Sequence, residues 1–86
     1  MTKKTVNIQL ENGLDTRPVA HLVQVASQFR SDVYLETGSR RVNAKSIMGM
    51  MTLGLDTGSE VTIAANGEDE GDAVAQLEAF LNRANA

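Results

Sequence analysis

The chain has 86 residues, no cysteine and one histidine, and its formal net charge at pH 7 is −3. This length suits one domain over residues 1–86, and the composition excludes disulfides and thiolate metal sites, so we expect no metal and no cofactor. The negative charge argues against direct nucleic-acid binding, and no apolar run approaches the roughly 18 residues of a membrane span. We therefore expect a cytoplasmic protein with neither nucleic acid nor membrane as a direct partner.

The first half of the chain alternates between strand and helix periodicities. Polar and apolar residues alternate from Thr5 to Leu10, which predicts a half-buried strand. A helical period follows over Thr16–Phe29, and a second strand is predicted at Asp32–Glu36. Gly38-Ser39 is a tight-turn signal, and Arg41–Asn43 follows as the returning strand of a hairpin.

The second half contains two more helices and one more strand. Ser46 is expected to cap a short helix over Ile47–Leu53, about two turns long. A fourth strand is predicted at Glu60–Ala65 by its period of two, with Val61, Ile63 and Ala65 on the inner side. Asp69 is expected to cap the last helix, whose apolar stripe runs over Ala73–Leu81.

The order β-α-β-β-α-β-α indicates an α+β two-layer open-faced sandwich. Strands that are apolar on one side only indicate a four-stranded antiparallel sheet, wet on one face. The amphipathic helices then cover the other face, so we expect three helices on one side of the sheet.

Most enzymatic functions are not supported by the residues present. The sequence lacks a cysteine nucleophile, a Gly-rich phosphate loop and paired histidines at metal spacing. His21 is one position off the apolar stripe of the first helix, and we interpret it as a structural histidine. We therefore predict a protein that is not an enzyme and has no catalytic residue.

The short middle helix carries a cluster of large apolar residues. Met48, Met50 and Met51 lie close together beside Ile47. Methionine commonly fills gaps in cores, but so short a helix cannot bury every face. The cluster is therefore either entirely core or partly a docking patch for a partner, with Ile47, Met48 and Met51 as the candidate contact residues.

Two loop-to-helix junctions could bind or carry an anion. They are Asn12–Pro18, which contains Arg17, and Asn43–Gly49, which contains Lys45 and Ser46. Helix N-termini attract anions, and the two basic residues would strengthen the field around a phosphate on Ser46. The simpler interpretation is that Ser46 only caps its helix.

These residues also carry a resemblance to a known family. N-G-L-x-x-R-P-x-A at Asn12–Ala20 and V-N-A-K-S-I-M-G at Val42–Gly49, together with the element order, resemble the HPr family of the sugar phosphotransferase system. The family's phosphocarriers have a phosphorylatable histidine directly after N-G-L, but this chain has Asp15 there. A carboxylate cannot form the phosphoramidate that a histidine forms. The resemblance therefore does not extend to the transfer of phosphate from enzyme I to sugar permeases.

The resemblance implies regulation at Ser46 instead. In Gram-positive relatives this serine is phosphorylated by HPr kinase/phosphorylase, and the product is a corepressor for CcpA, a LacI-family regulator of carbon catabolite repression. A branch called Crh lacks the histidine and keeps the serine. The resemblance thus implies a phosphoprotein of that kind, monomeric or weakly homodimeric, with Arg17, Lys45, Ile47, Met48 and Met51 contacting partners.

Several alternatives stay open. The chain could still be a phosphocarrier, or a partner-binding domain that is indifferent to phosphorylation. Asp15 could imitate the charge of a phosphohistidine, cap the first helix, or have no role.

Overall fold

The structure, a computed structural model, describes residues 1–9, 16–53 and 58–82, with the side chains of residues 16 and 17 outside the description. The predicted order β-α-β-β-α-β-α is confirmed. The elements are β1 (Thr2–Asn7), α1 (Thr16–Ser27), β2 (Asp32–Thr37), β3 (Arg40–Asn43), α2 (Ile47–Met51), β4 (Glu60–Asn66) and α3 (Glu70–Leu81).

The four strands form one antiparallel sheet in the order β1-β4-β2-β3. Its register places apolar side chains opposite one another on the inner face, as in Val6↔Val61 and Leu35↔Ile63. The helices cover this face, and buried residues of strands and helices form one hydrophobic core. The predicted two-layer α+β class is therefore confirmed.

The opposite face of the sheet is polar. The hydroxyls of Thr5 and Thr62 are 2.8 Å apart, and the Lys3 ammonium lies 3.5 Å from the Glu36 carboxylate. The guanidinium of Arg41 stacks over the Tyr34 ring at 3.8 Å. This is the wet face that the alternation predicted.

Three elements differ from the sequence predictions by two or more residues at a boundary, and β2, β3 and β4 are each one residue longer than predicted. The first strand begins at Thr2 and ends at Asn7, because residues 2–7 pair with β4, and Leu10 lies outside the described residues. Helix α1 ends at Ser27 because the N–H groups of Gln28 and Phe29 bond to carbonyls three residues back, which tightens the last turn. The N–H groups of Thr52 and Leu53 likewise bond to carbonyls three residues back. Helix α2 therefore ends at Met51, two residues before the predicted end at Leu53.

The prediction that Asp69 caps α3 with its side chain is wrong. Asp69 occupies the N-cap position, but its carboxylate makes no capping hydrogen bond. It accepts instead from the backbone N–H groups of Arg30 and Ser31, each at 2.9 Å, and from the Ser31 hydroxyl. The Ser31 hydroxyl, followed by the Arg30 N–H, lowers the pKa of Asp69 to about 2. Asp69 therefore holds the α1–β2 connection against the start of α3.

The neighbouring Glu70 ties the start of β1 to the same helix. Its carboxylate accepts from the Thr2 hydroxyl and from the Gly67 N–H, and lies 3.3 Å from the N-terminal ammonium of Met1. These contacts, the Thr2 hydroxyl foremost, lower the pKa of Glu70. The first turn of α3 is thus attached to two distant segments of the chain.

Candidate functional site around Ser46

Ser46 is the N-cap residue of α2. Its backbone is extended, with φ −114° and ψ 115°, and its Oγ accepts a hydrogen bond from the Gly49 N–H at 3.2 Å. The side-chain oxygen thus satisfies one of the donors that the first turn of a helix leaves without a partner. The residue is half-buried, and its capping hydrogen bond is partly buried.

The loop in front of Ser46 is held by local hydrogen bonds. The Asn43 side-chain oxygen accepts from the Lys45 N–H at 2.8 Å, and the Asn43 carbonyl accepts from the Ser46 N–H at 3.0 Å. Ala44 is buried and donates its N–H to the Val33 carbonyl at 2.8 Å. The serine is therefore presented on a well-supported turn at the end of β3.

Lys45 is engaged by a contact that the sequence did not reveal. Its ammonium donates to the backbone carbonyl of Phe29 at 2.8 Å, just beyond the end of α1. A cation is favourable there because the last carbonyls of a helix carry partial negative charge. Lys45 thus joins the Ser46 loop to α1, and its predicted contact with a partner stays a prediction.

The large apolar side chains of α2 divide into one inner and three outer residues. Met50 is fully buried in the core, whereas the exposed fractions of Ile47, Met48 and Met51 are 46%, 82% and 48%. We call Ile47, Met48 and Met51 the α2 patch. The cluster is therefore not entirely core, because three exposed apolar side chains follow Ser46, and their role in docking a partner stays a prediction.

The other predicted site, at the first junction, falls largely outside the described residues. Asp15 lies outside them, as does the side chain of Arg17, whose backbone lies in the first turn of α1. The positive potential that Arg17 was expected to add near Ser46 therefore stays a prediction.

His21 is exposed on α1. Its ring meets Phe80 of α3 edge-on, with ring centroids 5.0 Å apart and planes at 81°. This arrangement is a favourable aromatic pair. The two rings, together with Val25, Gln76 and Ala79, line a shallow groove between α1 and α3 of about 270 Å³.

Residues 1–9, 16–53 and 58–82 contain neither a cluster of candidate metal ligands nor a membrane-spanning helix. No group of three or more His, Cys, Asp or Glu in these ranges is arranged to hold a metal ion. None of the helices in the same ranges has the length and apolar character needed to cross a membrane.

Comparison with known proteins identifies the family. The sequence profile described as "PTS HPr component phosphorylation site" matches residues 2–83. The HPr-like protein Crh of Bacillus subtilis is 49% identical over 81 residues, which is 94% of this chain and 95% of that protein. The chain belongs to the HPr family.

Solved structures agree with this assignment. A phosphocarrier protein HPr from Bacillus anthracis superposes with a TM-score of 0.91 at 44% identity, covering 93% of this chain and 95% of the other. A crystal structure of Bacillus subtilis Crh, described as a dimer with a swapping domain, gives a TM-score of 0.76 at 49% identity. It covers 94% of this chain and 93% of that one.

Proposed function

We propose that this protein is a cytoplasmic regulatory member of the HPr family, not an enzyme, that is switched by phosphorylation of Ser46. The observation that carries the proposal is the placement of a half-buried serine at the N-cap of α2, immediately before the exposed α2 patch. The donor would be ATP, and the catalyst a kinase of the HPr kinase/phosphorylase type. A base of the kinase would take the proton of the Ser46 hydroxyl, whose oxygen bonds to the γ-phosphorus while the bond from that phosphorus to the β,γ-bridging oxygen breaks and ADP leaves.

Phosphorylation would change the surface more than the fold. A phosphate adds about −1.5 to −2 charges and three strong acceptor oxygens. Because α2 has only five residues, its dipole contributes little, and the new charge acts chiefly on a partner. The backbone N–H groups of Lys45 and Ser46 are held by the side chain and the carbonyl of Asn43, which do not involve the Ser46 hydroxyl, so we expect little rearrangement of the loop.

The partner would be a CcpA-type regulator of the LacI family. A basic side chain of that regulator would pair with the phosphate, while the α2 patch supplies apolar contact area. Charge-assisted hydrogen bonds are about twice as strong as neutral ones. A tenfold preference for the phosphorylated form requires only about 1.4 kcal/mol.

Asp15 replaces the phosphorylatable histidine in this proposal. A carboxylate there removes the relay of phosphate to sugar transporters. If Asp15 lies near Arg17, its charge would oppose phosphorylation of Ser46. Replacing Asp15 with Gln and measuring the rate of Ser46 phosphorylation tests this role, and an unchanged rate removes it.

A weak homodimer is the second part of the proposal. A crystal structure of Bacillus subtilis Crh and a solid-state NMR structure of Crh are both described as dimers, and this chain is 49% and 50% identical to them. Sedimentation over a range of concentrations should show a monomer–dimer equilibrium. A single monomeric species at all concentrations would contradict it.

The kinase assay with site mapping tests the switch. The protein is incubated either with the kinase and ATP, or with enzyme I and phosphoenolpyruvate, and mass spectrometry locates any phosphate. We expect phosphate on Ser46 in the first reaction and none in the second. Label from phosphoenolpyruvate would instead support a phosphocarrier.

Matched variants make the assay specific. Ser46→Asn keeps a capping side chain but removes the acceptor hydroxyl, because asparagine caps helices about as well as serine. Ser39→Ala removes an exposed serine from the β2–β3 turn and serves as the control. Only Ser46→Asn should abolish phosphorylation; modification of both variants would exclude Ser46 as the site.

A further inference from the structure

Two exposed thioethers form most of the α2 patch. Met48 is 82% exposed and Met51 is 48% exposed, and they are two and five residues after Ser46. Methionine sulfur is oxidised by peroxides, and its susceptibility increases with exposure. Two of the three side chains that the proposed regulator would contact, Met48 and Met51, can therefore be oxidised.

We propose that Met48, and more slowly Met51, are sites of reversible oxidation to methionine sulfoxide by hydroperoxides, and that this oxidation switches off docking of the α2 patch. The effect on docking rests on the proposed function, whereas the oxidation itself does not. The sulfur attacks one peroxide oxygen, the O–O bond breaks and an S–O bond forms. The other oxygen leaves as water or an alcohol, so the thioether is oxidised and the peroxide reduced.

The fold should survive the modification because the core methionine is a different one. Met50 is fully buried, and it is the residue of α2 that belongs to the hydrophobic core. Met48 and Met51 are neither members of that core nor among the side chains packed against it. Oxidising them adds oxygen at the surface and leaves the anchor of α2 intact.

Oxidation of Met48 and Met51 should weaken docking of the regulator, because a sulfoxide is polar and a strong hydrogen-bond acceptor. Once Met48 and Met51 are oxidised, Ile47 is the remaining apolar member of the α2 patch. A partner that covers the patch would bury sulfoxide oxygens without donors to match them, which is unfavourable. Oxidation would therefore oppose the phosphate on Ser46, and sulfoxide reductases would restore the patch.

Peptide mapping after hydrogen peroxide treatment tests the site. The whole protein is exposed to increasing peroxide, and mass spectrometry quantifies the oxidised fraction at each methionine. Met1, 62% exposed, and Met48 should react first, Met51 next and Met50 last, with an unchanged melting temperature until Met50 reacts. Oxidation of Met50 as fast as Met48 would overturn the inference.

Binding measurements test the consequence. The Ser46-phosphorylated protein is measured against the regulator before peroxide, after peroxide, and after methionine sulfoxide reductase. We expect binding to weaken about tenfold or more on oxidation and to recover on reduction, since two sulfoxides without matching donors would be buried; tenfold corresponds to about 1.4 kcal/mol. Unchanged binding with Met48 fully oxidised would overturn the proposal that oxidation switches off docking of the α2 patch.

The control is the double variant Met48→Leu, Met51→Leu, which keeps apolar side chains of similar volume and removes both sulfurs. Its affinity is measured before and after peroxide, and peroxide should leave that affinity at its own starting value, although Met1 is still oxidised. A fall in its affinity on peroxide treatment would assign the effect to Met1 or Met50 and contradict the inference. If the unoxidised phosphoprotein does not bind the regulator at all, the proposed function fails, while the order of oxidation is still decided by the mapping.

Discussion

The starts of α2 and α3 use a capping residue in opposite ways. Ser46 bonds to the N–H of its own helix and remains partly exposed beside an apolar patch. Asp69 occupies the same position on α3, but its carboxylate is used by Arg30 and Ser31. The comparison shows that the Ser46 junction is held by a bond within its own helix, whereas the Asp69 junction joins α3 to the distant α1–β2 connection.

The largest effect on stability is expected from a substitution at Gly67, which lies against Ser31, the residue bound by Asp69. A Cβ at Gly67, whose φ is +153°, would lie 2.7 Å from both the Cα and the Oγ of Ser31. Because backbone must move, Gly67→Ala should destabilise the fold by about 1–3 kcal/mol. Urea unfolding measures this.

Gly71→Ala is the matched control in the first turns of α3. Nothing lies within 4 Å of a Cβ there, and alanine is favoured over glycine in helices. It should leave stability unchanged or raised. Equal losses of stability in Gly67→Ala and Gly71→Ala would contradict the importance of the close contact between Gly67 and Ser31.

The second effect is an acid dependence of stability. The pKa of Asp69 in the folded protein, about 2, lies below its ordinary value of 3.8. Its contribution is therefore present above about pH 4 and is lost as the pH falls toward 2. Asp69→Asn should be less stable at neutral pH and show a flatter profile over this window.

Glu70 titrates in the same direction because its pKa is also lowered. A Glu70→Gln variant separates the two carboxyl groups. The loss of stability at low pH that is due to Asp69 should still be seen in the Glu70→Gln variant. Its complete disappearance there would assign the acid dependence to Glu70.

The smallest effect is expected at the other junction. Ser46→Ala removes one capping bond on a five-residue helix and should cost about 1 kcal/mol, at the level usual for N-caps. Ser46→Asn should be close to neutral. A loss from Ser46→Asn as large as that from Gly67→Ala would show that Ser46 is structural in the same sense as Asp69.

The sequence predicted the local features of both junctions and missed the long-range ones. The N-cap at Ser46 and the order of elements follow from patterns within a few residues. The bond from Asp69 to Ser31 spans 38 residues, and that from Lys45 to Phe29 spans 16, so no local pattern reveals either. The division of the methionines into buried Met50 and exposed neighbours likewise depends on how α2 lies on the core.

The most direct test of the central claim is the affinity of a CcpA-type regulator for this protein with and without phosphate on Ser46. Calorimetric titration of the two forms, prepared from the same chain, isolates the effect of that one group. The account predicts binding at least about tenfold tighter for the phosphorylated form, a difference of about 1.4 kcal/mol. Equal affinities would contradict the claim that Ser46 is the switch.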